Sequence, residues 1–313
     1  MARHNSFLSG DRAFTQEAPS YVYGAPAPQF GQQPQFGQQH YGQQQFGGQY
    51  GAPAPQYGQQ APNPADLEAM YARPAATGHD TGRMTMPDVL NALTVTLGLT
   101  LVTGASVVGL FMLLPVFGGP NGAAVAQLVA MGALGIGLIG GLITGLVNAF
   151  MRMPSAPLVI AYGFFEGLLL GGLTAPLDAI YPMIGVQAVV GTLAVAGTVL
   201  VLYRMGILRT SPVLTKIFMV AMLAYLLFGL VNIGFMLFAD VSLRGGMVGL
   251  AVGALAVLMA SYSLVMDFED VERGIRNGVP RKMAWRCAFA LTATLVWMYL
   301  EILRILSILR GND

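Results

Sequence analysis

AWRCAFALTATLVWMYLEILRILSIL, residues 284–309, decides how this chain is read. The run is apolar and, at about 1.5 Å of rise per residue, long enough to cross roughly 30 Å of hydrocarbon. It nevertheless carries Glu301 and Arg304 well inside it. A charge near the middle of a bilayer costs about 2.5–3.5 kcal/mol on insertion scales, so such a residue faces a bundle interior or a water-filled cavity. The segment is therefore expected at the centre of a bundle, with the other apolar segments caged around it.

Composition agrees. The chain has 313 residues, of which 10% are charged and 55% hydrophobic; soluble domains carry about 25% charged residues, so this is a membrane protein. Its net charge of +1 gives no reason to expect nucleic-acid binding. The single cysteine, Cys287, excludes an intramolecular disulfide and a Cys-rich zinc site. All three histidines (His4, His40 and His79) precede the first apolar span. A Ser–His dyad or a His-held zinc is thereby excluded from the membrane part. We expect no cofactor and no enzymatic activity.

Seven segments are long enough to span, at about 88–115, 123–150, 156–176, 184–203, 213–238, 245–267 and 285–309. The fold class expected is all-α: a polytopic membrane protein of seven transmembrane helices over residues 86–313, behind a cytoplasmic tail over residues 1–85. That tail cycles through PQFGQQ, HYGQQ and PQYGQQ, and its Gln, Gly and Pro cannot bury enough apolar surface to offset ordering entropy. It is expected to be disordered, as an aromatic-sticker interaction segment or a plain spacer, with one short helix at Pro64–Arg73. The second span, GALGIGLIGGLITGLVNAF, repeats small residues at four-residue spacing, including Gly137, Gly141 and Gly145. Small residues let helix backbones approach closely, so this span is expected to pack tightly.

Basic residues in the short connections orient the bundle. Arg152, Arg204, Arg209, Lys216, Arg273, Arg276, Arg281, Lys282 and Arg286 fall on one side; Arg244 and Arg310 fall on the other. Nine against two places the N-terminus in the cytoplasm and the C-terminus outside the cell membrane.

The charges inside spans are the candidates for function. Glu166 sits in YGFFEGLLLGG of the third span, as a pathway-lining group or as an interhelical contact. Asp178 and Asp240 fall near outer connections and are expected to be solvated. Asp267 closes the sixth span in SYSLVMDFEDVERGI, followed by the i,i+4 pairs Glu269–Arg273 and Glu272–Arg276 of a solvated helical extension. A carboxylate against apolar surface, with another carboxylate and an arginine nearby, is a natural proton switch. Arg304, three residues after Glu301, is placed to neutralise it within one helix. Cys287 is expected to be an inert helix residue.

SYSLVMDFEDV in the sixth span, VWMYLEILRIL in the seventh and FFEGLLLG in the third resemble the signature stretches of the Bax inhibitor family, over residues 86–313. The resemblance implies six helices around a central seventh, and a pH-sensitive leak pathway for calcium or other cations. It further implies a gate of two carboxylates, Asp267 and Glu301, with Arg152 in NAFMRMP as the basic latch. The second carboxylate is here Glu rather than the usual Asp, so the pH of any transition does not transfer. If the seventh helix enters the membrane at Trp285, Glu301 lies about 24 Å deep, whereas Asp267 reads as near the cytoplasmic edge. Two other readings stand beside this one. One is an adaptor that binds a membrane-protein partner such as a membrane protease. The other is an intramembrane hydrolase using two carboxylates on one water, for which no substrate motif is present.

Overall fold

The computed structural model describes residues 82–239 and 242–311. The tail, the short helix at 64–73 and Asp240 lie outside these residues. The described chain forms seven long helices: α1 Met86–Phe117, α2 Gly122–Phe150, α3 Ala156–Ile180, α4 Ile184–Arg204, α5 Pro212–Ala239, α6 Gly246–Arg276 and α7 Met283–Gly311. Each is long and apolar enough to cross a membrane. Large apolar side chains such as Leu128, Ile139, Val220, Leu230 and Leu258 cover the outside. An exposed apolar surface of that extent belongs in lipid, so this is a multi-pass protein of the bilayer.

The expected seven spans are all present, and the seventh is central. α7 packs against α1, α3, α4 and α6, and it buries more of its length than any other span. Its Cys287, Leu291 and Met298 sit in a core with Ala260, Leu264 and Val265 of α6, Val89 of α1 and Val199 of α4. α5 is peripheral: its helix contacts run to α6, and its polar side chains reach α7.

The α2 glycines pack as their spacing predicts, on one face only. A Cβ at Gly137 would lie 2.3 Å from the backbone nitrogen of Leu169, so only glycine allows α2 to approach α3 this closely. The opposite face of α2, with Leu138 and Leu142, is exposed. α3 uses its own glycines against α1, where a Cβ at Gly167 would lie 2.7 Å from the Thr100 carbonyl oxygen. α3 is thereby clamped between two helices.

Two boundaries differ from the sequence expectation. α6 runs to Arg276 rather than ending at Asp267, because the Glu and Arg residues beyond Asp267 continue the helical ladder with i,i+3 and i,i+4 ion pairs. α3 runs through Pro176 to Ile180.

At one end of the bundle the start of the described chain is fastened to the α6–α7 connection. Met84 N donates to Val279 O (2.8 Å) and Arg281 N to Gly82 O (2.8 Å). Arg281 Nε also donates to Asp88 Oδ1 (2.7 Å), while Asp88 closes a capping box with Thr85 at the head of α1.

Candidate functional site

Two polar clusters interrupt the apolar interior, at different levels along α6 and α7. The first surrounds Glu301, which α7 places in the bundle core at 2% exposure. Arg304 Nη1, one turn further along α7, lies 3.2 Å from both carboxylate oxygens. Arg244, from the α5–α6 connection, donates from Nη2 to Glu301 Oε1 (3.2 Å) and to Tyr225 Oη (2.7 Å). The Tyr225 hydroxyl of α5 donates to the same Oε1, and Trp297 Nε1 donates to the Tyr225 oxygen at 3.4 Å. The Arg244 guanidinium also stacks over the rings of Tyr225 and Phe228, 5.1 and 5.9 Å from their centres. A carboxylate so deep is tolerable because two guanidinium groups and a hydroxyl replace its water.

The second cluster lies at the end carrying the α6–α7 connection. Asp267, 1% exposed, accepts from Thr294 Oγ1 of α7 at 2.6 Å. The Thr294 hydroxyl also stands 3.4 Å from Ser263 Oγ. One turn on, Asp270 is equally buried and accepts from Arg273 Nη1 at 2.9 Å, with its Oδ2 lacking a hydrogen-bond partner. The expectation of a solvated extension is therefore corrected here: Asp270 and Arg273 are core residues, and only Glu272 and Arg276 form an exposed pair. Helical periodicity explains this, since 267, 270 and 274 share the α7-facing side. The Thr210 hydroxyl, in the α4–α5 connection, donates to Glu269.

Asp267 and Glu301 are not brought together. Thr294, which holds Asp267, precedes Glu301 by seven residues, about 10 Å along α7. Gly253, which faces Glu301, precedes Asp267 by fourteen residues, about 21 Å along α6. The two carboxylates that the resemblance implies as one gate thus form two separate sites between the same two helices, as their different depths in the sequence indicate. Arg152 is exposed in the α2–α3 connection, and its backbone carbonyl faces Arg286 Nη1 of α7 at 3.5 Å. The arginine bonded to Glu301 from a connection is Arg244, at the opposite end of the bundle.

The remaining candidates fall as follows. Glu166 is buried on α3 beside Gly141 of α2, with its Oε2 lacking a partner. Asp178 is half-buried and caps the start of α4 by accepting from Gly185 N at 3.1 Å. Cys287 is buried in the core. Sequence reasoning missed Tyr225 and Thr294, read Asp270 as part of a solvated extension although on one face with Asp267, and used Arg244 only to orient the chain. Arg244 carried a signal, as the lone arginine on its side before the C-terminus; Tyr225 and Thr294 carried none.

A cavity of about 510 Å³ lies between α1, α3, α4 and α7, lined by Leu101, Val108, Leu170, Val189, Val296 and Tyr299 among others. Its walls are almost wholly apolar, which suits hydrocarbon and not a hydrated ion. Among the described residues, no group of three or more His, Cys, Asp or Glu side chains is placed to hold a metal ion.

A family model described as Bax inhibitor 1 like matches residues 27–311. No curated protein and no solved structure matches the chain.

Proposed function

This chain belongs to the Bax inhibitor 1 like family, and we propose that it is a pH-sensitive leak pathway for calcium or other cations in the cell membrane. The observation that carries this reading is the stacking of two buried carboxylate sites, Asp267 with Thr294 and Glu301 with Arg244, along the α6–α7 seam. Carboxylates buried in a membrane protein mark ion or proton pathways by default. Oxygen ligands at two levels suit a hard cation such as calcium.

The arrangement fits a closed state, because every ionised carboxylate on the seam already has a protein partner at one or both oxygens. Opening at the Glu301 level requires Arg244 to let go. Loss of that pair, with Arg304 still on Glu301, frees the α5–α6 connection to swing away from α7. At the Asp267 level, Asp270 stands one turn further along α6 and is held by Arg273 at 2.9 Å. The N-terminus is taken as cytoplasmic and Arg244 as extracellular, on the basic-residue asymmetry. Catalysis forms no part of this reading.

The experiment is calcium flux into proteoliposomes holding the full chain between pH 6 and 8, comparing the parent with Asp267→Asn, Glu301→Gln and Arg244→Ala. A flux whose pH profile moves in all three supports the reading. Folded protein that passes no more calcium than empty liposomes overturns it, and favours an adaptor for another membrane protein.

A further inference from the structure

We propose that the cavity between α1 and α4 holds one acyl chain of a phospholipid with an ammonium headgroup, drawn from the leaflet on the side of the α3–α4 connection. This site goes beyond the leak reading and uses none of the groups on the α6–α7 seam.

The cavity opens sideways into the bilayer. α1 and α4 are its two walls, and Leu170 of α3 with Val296 and Tyr299 of α7 forms its floor. Leu101 of α1 and Val186, Val190 and Leu193 of α4 line it and are also exposed on the outside, so its mouth runs between these two helices. Leu101 stands at the middle of α1, a depth at which the surroundings are hydrocarbon. Water does not fill so apolar a space. Left empty, about 510 Å³ forfeits the packing of its whole lining. The filler at hand is a hydrocarbon chain of the surrounding lipid.

Length fits one leaflet. The lining residues of α1 run from Leu97 to Gly109, about 18 Å of helix. One leaflet supplies roughly 15 Å of hydrocarbon, half of a ~30 Å core. Along this length the hydroxyls of Thr100 and Thr192 turn back onto carbonyl oxygens of their own helices, at 2.9 and 2.8 Å, and leave the surface apolar. Gly109 adds room, since a Cβ there would meet nothing within 4 Å.

Polar groups gather at one end only. Thr174 Oγ1 and Tyr299 Oη share a hydrogen bond of 2.7 Å there. A Cβ at Gly185, the second residue of α4, would lie 3.7 Å from Asp178 Oδ1 and 3.8 Å from Tyr299 Oη, so these groups meet at one spot. An apolar slot with a polar end at the level of the helix termini matches a lipid chain with its headgroup outermost. Among the described residues Asp178 is the one charged group of the lining, half-buried near the end of α3. Its carboxylate attracts an ammonium and repels a net anionic headgroup. The slot takes the chain, and Asp178 selects the head.

The test is photocrosslinking of the full chain in nanodiscs, with phosphatidylethanolamine or phosphatidylglycerol carrying a diazirine midway along one acyl chain, followed by peptide mapping. The ethanolamine lipid should label α1 near Leu101 and α4 near Val190 more strongly than the lipid-facing side of α5. Gly109→Leu, which grows into open space, should lower that labelling roughly tenfold. Gly132→Leu on α2, where a Cβ also meets nothing within 4 Å, should leave it unchanged. Asp178→Asn keeps an acceptor for Gly185 N and should retain the labelling while erasing the preference for the ethanolamine lipid over the glycerol lipid. Labelling spread evenly over the lipid-facing helices, or left intact by Gly109→Leu, would overturn the site. Equal labelling by the two lipids in the parent chain would overturn the ammonium assignment and the proposal with it. Ion flux does not enter this readout, so the leak reading stands or falls separately.

Discussion

Arg244 folds back from the α5–α6 connection into the bundle and pairs with Glu301, Nη2 to Oε1 at 3.2 Å, beneath the ring of Tyr225. The arginine nearest in sequence, Arg304, holds the same carboxylate from one turn away. Glu301 thus has a partner it carries with it on α7 and a partner that α7 must leave behind if it moves.

Glu301→Gln should be the most destabilising change in this cluster, because it leaves Arg244 buried without a counter-charge. Breaking one side of a buried pair costs about 3–5 kcal/mol. Arg244→Ala should cost less, since Arg304 remains on Glu301. Thermal unfolding in detergent of the two single variants and the double should show a coupling above about 1 kcal/mol. Additive effects would mean that the pair is idle.

Thr294→Val removes the hydroxyl that bonds Asp267 at 2.6 Å. Burying a carboxylate with one fewer donor costs about 1–3 kcal/mol, so the variant should unfold earlier. Asp267→Asn, which keeps a hydrogen-bonding group opposite Thr294, should be milder. The order of the two melting temperatures checks this.

Gly137→Ala should loosen α2 from α3, because the added methyl meets the Leu169 nitrogen at 2.3 Å and both atoms belong to rigid backbone. Overpacking of this kind costs about 1–3 kcal/mol or more. Gly132→Ala, on the same helix with nothing within 4 Å, should be neutral or stabilising by up to about 1 kcal/mol. Opposite signs in one unfolding assay are the expected result.

The proposed orientation is open to chemical labelling. Native Cys287 is buried, so a membrane-impermeant maleimide on intact cells should label Asn121→Cys and spare Asn277→Cys. After the membrane is opened, both should react. The reverse pattern would invert the topology.

Much of this fold was legible because lipid imposes simple rules. Seven apolar runs became seven helices, and the charged interior of 284–309 marked the central one. The α2 glycines announced a close contact, although not that it would occupy one face. The site was harder to read. Hydropathy ended the sixth span at Asp267, and so could not show that Asp270 and Arg273 stay buried; that depends on α6 continuing along α7. The separation of Asp267 and Glu301 was legible from depth, but the partners each would meet depend on the register between two antiparallel helices, which no local pattern records. Arg244 looked like a surface charge because loops are surface by default, and its inward turn is set by a carboxylate fifty-seven residues away.

The fastening of Met84 and Gly82 to the α6–α7 connection gives the bundle a handle. Those two backbone bonds and the Arg281–Asp88 pair tie residues 82–88 to the connection between the helices that carry Asp267 and Glu301, so the head of α1 and the seam share one anchor.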